Sequence, residues 1–152
     1  ACMTETALPD IRFTGRDKLV RAIDTAVASG DEHAVTAALR TVLCNVIGDP
    51  EVELPACVHE PVADHYARRE LYRSPEHGYS IVAMTWGPGQ ATPLHDHCGL
   101  WCVEGVWHGV LEITQYELLE QDGERFRFRA AGGMQHAWPA AVSHSEVGPS
   151  RG

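Results

Sequence analysis

The sequence contains no apolar run approaching the ~20 residues that a membrane-crossing helix needs, and no basic-then-apolar segment opens it. Neither a membrane span nor a secretory leader is therefore expected, and Met3, preceded by Ala1 and Cys2, is the expected start. Dense blocks of Lys and Arg are also missing: 12 basic residues stand against 21 acidic ones, a net charge of −9. Such a chain repels a phosphate backbone on average, which argues against nucleic acid as a partner. A regular, even set of cysteines is absent too. The five present, Cys2, Cys44, Cys57, Cys98 and Cys102, lead to an expectation of reduced thiols in a cytoplasm rather than a disulfide framework. There is no internal repeat and no low-complexity tract.

What remains is an ordinary globular composition, 44% apolar and 22% charged over 152 residues, enough for one domain with a single core. Thr14 and Asp17 form a Thr-x-x-Asp capping pattern, followed by Leu19, Val20, Ile23 and Val27 at helical spacing. Gly30 is expected to stop that helix and Asp31 to cap a second, whose stripe is Val35, Leu39, Val42, Leu43 and Val46. Gly48-Asp49-Pro50 then ends it. Within that stripe Cys44 reads as a small buried hydrophobe.

After Pro55 the pattern becomes β-like. Ser80 to Trp86 reads as a buried strand closed by Gly87-Pro88-Gly89, Leu100–Val103 and Val106–Leu119 are β-rich, and Phe126 and Phe128 alternate with arginines. Turn-separated short strands after two helices imply a mainly β barrel or sandwich with a helical N-terminal segment. The expected division of one domain is helical at 14–48 and β at 55–135, with a tail at 136–152 that lacks a strand period and holds Pro139 and Pro149.

The residues that carry chemistry gather at 89–109. Histidines at i and i+2 on a strand share a face, so His95 and His97 can chelate one ion, while Asp96 points the other way. Imidazole suits Fe, Zn, Cu or Ni, so the pair alone does not select the metal. Gly89, five residues, His95-x-His97, four residues, Cys102, six residues and Gly109 resembles the first cupin motif at every interval. Cys102 stands where most cupins carry a metal-binding glutamate. That exchange, with Thr92-Pro93-Leu94-His95-Asp96-His97, resembles the cysteine dioxygenase family of bacterial type. Upstream, Tyr66-Ala67-Arg68 resembles the family's Tyr-x-Arg segment, with Arg69 one step away on the opposite strand face.

The resemblance implies a cupin fold, a double-stranded β-helix or jelly-roll barrel, preceded by two N-terminal α-helices. It implies Fe(II) held by histidines, a small-molecule thiol and O2 as reactants, and cysteine sulfinic acid as product. His95 and His97 would be ligands, Arg68 would hold the substrate carboxylate through its planar fork beside Tyr66, and Cys102 would shape the site. The family's third histidine comes from a later strand. Gly133-Met134-Gln135-His136 fits its Gly-x-x-His step and makes His136 the preferred ligand, with His144 the alternative. The third possibility is that neither is the ligand, in a chain truncated or altered after about residue 135. Relatives acting on 3-mercaptopropionate tend to carry glutamine where Arg68 stands, which favours cysteine. A non-catalytic metal-binding cupin is the alternative of a different class. The last tyrosine is Tyr116, so no thioether to Cys102 is expected. Trp86, Trp101 and Trp107 are expected to pack, and His33, His59, His65, His77 and His108 to serve surface or packing roles.

Overall fold

The computed structural model describes residues 11–93, 100–113, 116–122, 125–130, 135–137 and 142–145. Two helices come first, α1 at Arg16–Val27 and α2 at Glu32–Val46. Asp31 caps α2 as its sequence position predicts, its carboxylate accepting the Ala34 N–H at 2.9 Å. The expected Thr14 cap does not form. Thr14 is instead bridged to Glu53, whose N–H donates to the Thr14 carbonyl at 2.9 Å, and Gly15 occupies the cap position at φ 80°. A side chain is excluded there, because a Cβ would lie 2.2 Å from the Glu51 carbonyl oxygen.

The helices bury one stripe each. Leu19, Ile23 and Ala26 of α1 meet Val35, Leu39 and Val46 of α2, with Val52 and Tyr79 completing the cluster. Cys44 lies outside this stripe and is exposed, which corrects the expectation of a buried thiol. Lys18 reaches from α1 to Asp49 at 2.7 Å and Glu51 at 2.5 Å. Exposed pairs of this kind add little stability, and the core carries the docking.

A short 3-10 turn at Ala56–His59 precedes eight strands among the described residues. β1 (Ala67–Arg73) and β2 (Ser80–Thr85) form an antiparallel hairpin with a register shift between Glu70 and Tyr72. Leu71, 1% exposed, and Val58 make a second cluster beneath it. β2 is not buried on both faces as its apolar run suggested: Ile81 and Ala83 pack inward, whereas Met84 is 37% exposed. Tyr79, at the hairpin turn, donates its hydroxyl to Asp24 of α1 at 2.6 Å and stacks on His77. Burial, then the Asp24 carboxylate, pushes the Tyr79 phenol well above its ordinary 10.0.

The later strands are β3 (Cys102–Gly105), β4 (Leu111–Ile113), β5 (Tyr116–Asp122), β6 (Arg125–Ala130), β7 (Gln135–Ala137) and β8 (Val142–Ser145). Their antiparallel pairs are nested: β5 with β6, then β4 with β7, then β3 with β8. β3, β4 and β5 therefore pair in reverse order with β8, β7 and β6, as two arms of one folded-back ribbon. The expected strandless tail thus supplies two short strands, with Pro139 falling between them. α2 lies against β3 and β8, the open end of the ribbon. Among the described residues the four pairs stand as separate two-stranded sheets.

Leu71→Ala is expected to cost about 2–5 kcal/mol, the range for deleting a buried leucine side chain, read by urea unfolding. Tyr79→Phe should cost about 1–2 kcal/mol at neutral pH, since it removes a hydrogen bond to a carboxylate. A raised phenol pKa stabilises the fold fully below its ordinary value of 10.0, and that contribution declines as pH rises beyond it. The alkaline loss of stability should therefore be shallower in Tyr79→Phe than in wild type, and equal slopes would contradict the assignment.

Candidate functional site

β1 decides which arginine is available. Arg69 turns towards the 3-10 turn, where its guanidinium donates to the Glu60 carbonyl at 2.6 Å and reaches Thr85 Oγ1 at 3.5 Å. Arg68, one residue earlier, takes the opposite face and is exposed. Its neighbour Glu70 is already held, accepting Arg73 Nε at 2.8 Å, Arg73 Nη2 at 2.9 Å and the Ser80 hydroxyl at 2.8 Å. Burial raises the Glu70 carboxyl, but the hydrogen bonds from Arg73 and Ser80, then the charges of Arg73 and Arg68, outweigh it and leave it below its ordinary value. The Glu70 carboxylate is thus hydrogen-bonded by Arg73 and Ser80, and among the described residues Arg68 meets it through charge alone, with no hydrogen bond or ion pair.

Two side chains that the sequence alone did not single out for this face accompany Arg68. Trp86 stacks on Tyr66 with centroids 6.0 Å apart and planes at 29°. Met84 is the cross-strand partner of Arg68. The result is a face with one guanidinium, two stacked aromatic rings and a thioether. No local sequence signal marks the Tyr66–Trp86 contact, because it is made across the β1–β2 register.

Cys102 opens β3 and is half-buried. Burial, with a smaller effect of Glu104, holds its thiol above the ordinary value of 9.0, so it stays protonated near neutral pH. Trp101 and Val103 both pack against the helix cluster, so the alternation of β3 puts position 102 on the face away from the helices. Trp107 joins the same cluster, and Trp101 is thus a packing residue as expected.

His95 and His97 lie outside the described residues. His136 is the middle residue of β7, opposite Glu112. His144 lies in β8 opposite Val103, and Ser145 is opposite Cys102. Directly opposed positions share a face, so position 144 belongs with the helix-facing Val103 rather than with Cys102. Among the described residues no group of three or more His, Cys, Asp or Glu is placed to hold a metal ion. No hydrogen bond or ion pair among them joins Cys102 to Arg68. His59 and His108 meet edge to face at 6.0 Å, and His65 Nδ1 lies 2.5 Å from the Tyr66 carbonyl oxygen, both packing roles.

The expectation of reduced thiols fails at one position. Cys57, beside Val58 in the 3-10 turn, is disulfide-bonded to a partner outside the described residues. No helix among the described residues is long and apolar enough to cross a membrane. No protein-family model matches the chain.

The three cysteine environments predict an order of labelling. Iodoacetamide at pH 8 should modify exposed Cys44 first and Cys102 much more slowly, with Cys57 modified only after reduction. Because the Cys102 pKa is raised, its rate should keep climbing as pH passes 9.0. Peptide mass mapping reads the order, and equal rates at Cys44 and Cys102 would contradict it.

Proposed function

We propose that this chain is a cupin-type, Fe(II)-dependent thiol dioxygenase that oxidises L-cysteine with O2 to cysteine sulfinic acid. The observation that supports the reading is the guanidinium of Arg68, exposed beside the Tyr66–Trp86 stack and making no hydrogen bond or ion pair among the described residues, while Arg69 and Arg73 are bonded elsewhere. A planar fork matches a carboxylate through two parallel hydrogen bonds, which selects an amino acid over a bare thiol. The nested antiparallel pairing is compatible with the barrel part of the reading, since a ribbon of this kind makes a jelly roll when it winds on itself.

The donor chemistry fits a divalent iron. His95, His97 and His136 would hold the ion through neutral imidazoles, and position 102 offers a protonated thiol in place of the carboxylate usual in cupins. Bound Fe(II) supplies the activation of O2 beside the substrate sulfur. The chain's own contribution is positional. Arg68 would fix the carboxylate end, the rings of Tyr66 and Trp86 would wall the pocket against water, and neutral Cys102 would shape it without adding charge. The register of β3 with β8 favours His136 over His144 as the third ligand.

Iron-loaded protein should consume O2 with cysteine, and His95→Ala should abolish it; no uptake with any small thiol despite stoichiometric iron would sink the proposal. Arg68→Gln should raise KM for cysteine about 10- to 100-fold, from the ~1.5–3 kcal/mol of a charge-assisted hydrogen bond. Turnover of 3-mercaptopropionate measured in the same two proteins separates the two substrates. Metal stoichiometry in His136→Ala and His144→Ala identifies the third ligand, with loss expected in the first alone.

A further inference from the structure

His59 closes the 3-10 turn, and His108 lies in the loop after β3. Their rings meet with centroids 6.0 Å apart and planes at 82°. Packing explains the contact but makes no use of the four ring nitrogens, since neither ring has a hydrogen bond or ion pair among the described residues. Both side chains are exposed, while the chain beside each is held. His59 stands between Val58, whose carbonyl accepts the Thr85 hydroxyl, and Glu60, whose carbonyl accepts Arg69 at 2.6 Å. His108 follows Trp107, which packs on the helix cluster. Two imidazoles far apart in sequence are thus presented to one another from anchored backbone.

We propose that His59 and His108 form a two-histidine site for a borderline divalent cation of the Zn(II) type. The site shares no residue with the Fe(II) site proposed above and does not rest on that reading. Zn(II) lies about 2.0–2.1 Å from a ligating imidazole nitrogen and hence about 3.2 Å from the ring centre, so two rings on one ion have centres at most about 6.4 Å apart. The observed 6.0 Å falls inside that limit. A tetrahedral angle at the ion draws the centres in to about 5.2 Å, and rotation of the exposed rings about χ2 aims one nitrogen of each at the space between them. Neutral imidazole suits such ions, and a chain of net charge −9 attracts cations. Among the described residues no third His, Cys, Asp or Glu joins the pair. Water therefore fills the remaining positions, and the ion is exchangeable. Bound, it ties the 3-10 turn to the loop after β3, a link that the unfolded chain cannot make.

Zn(II) alone is titrated into the full-length protein at neutral pH, and the ring signals of each histidine are followed by NMR. The His59 and His108 rings should shift together with one midpoint. His59→Ala should raise the midpoint read at His108 about tenfold, equivalent to about 1.4 kcal/mol, and His108→Ala should do the same at His59. Both positions are exposed, so neither exchange removes a buried side chain. His95→Ala should leave the shared midpoint unchanged. Different midpoints at the two rings, no response at either, or an unchanged His108 midpoint in His59→Ala overturns the site. Loss of both responses in His95→Ala also overturns it, because the rings would then be reporting an ion held elsewhere.

Discussion

The described structure depends on the burial of one apolar surface, the joint stripe of α1 and α2. Leu19, Ile23, Val35, Leu39 and Val46 are each at most 7% exposed, and a large aliphatic side chain buried to that degree stabilises by about 1.5–3 kcal/mol. Two antiparallel helices cannot cover that surface alone. They recruit Tyr72, Tyr79 and Ile81 from the first hairpin, then Trp101, Val103 and Trp107 from the start of the ribbon. The hairpin that carries Arg68 and the strand that opens with Cys102 are thereby docked on the same support. Packing of Trp101 and Val103 also settles the orientation of β3, and with it the face on which Cys102 stands.

Polar contacts then fix what packing leaves loose. Apolar burial is non-directional, so it holds β1 and β2 near the helices without setting their angle. Tyr79 supplies a direction through its bond to Asp24, and the loop at 58–63 is fastened carbonyl by carbonyl. These bonds add modest net stability each, and the part-buried ones at Tyr79 and Thr85 would cost more to leave unpaired than they contribute. Directional contacts of this kind are therefore where a change of one atom alters geometry before it alters folding.

The helices were legible in the sequence because each is long enough to display its period, and Asp31 because its cap is local. Thr14 was misread because a bridge to Glu53, a partner nearly forty residues away, outweighs the local capping pattern. β2 looked fully buried because Ile81, Val82, Ala83 and Met84 are all apolar, yet only alternate positions have a core to face. The last strands escaped notice for a different reason. β7 and β8 span three and four residues, too few to show alternation beside Pro139. Of the site, the His-x-His and Tyr-x-Arg spacings are local and readable. Trp86 and Met84 come beside Arg68 only through the β1–β2 register, which no spacing along the chain encodes.

The charge of the chain gives Arg68 its weight. A net charge of −9 repels an anionic carboxylate at long range, although salt damps that repulsion beyond about 8 Å. A carboxylate ligand of the kind proposed would therefore have to be caught at contact rather than gathered by the overall field. Contact recognition needs a guanidinium that no nearby carboxylate has taken, in a chain where acids outnumber bases. Around β1, Arg73 and Ser80 hold Glu70 and Arg69 turns to the Glu60 carbonyl, while Arg68 forms no ion pair among the described residues. Exchanging the roles of Arg68 and Arg69 would take a one-residue slip in β1. That slip would also turn Ala67 and Leu71 out of the core. The packing that folds the hairpin is thus the same constraint that keeps the Arg68 fork available.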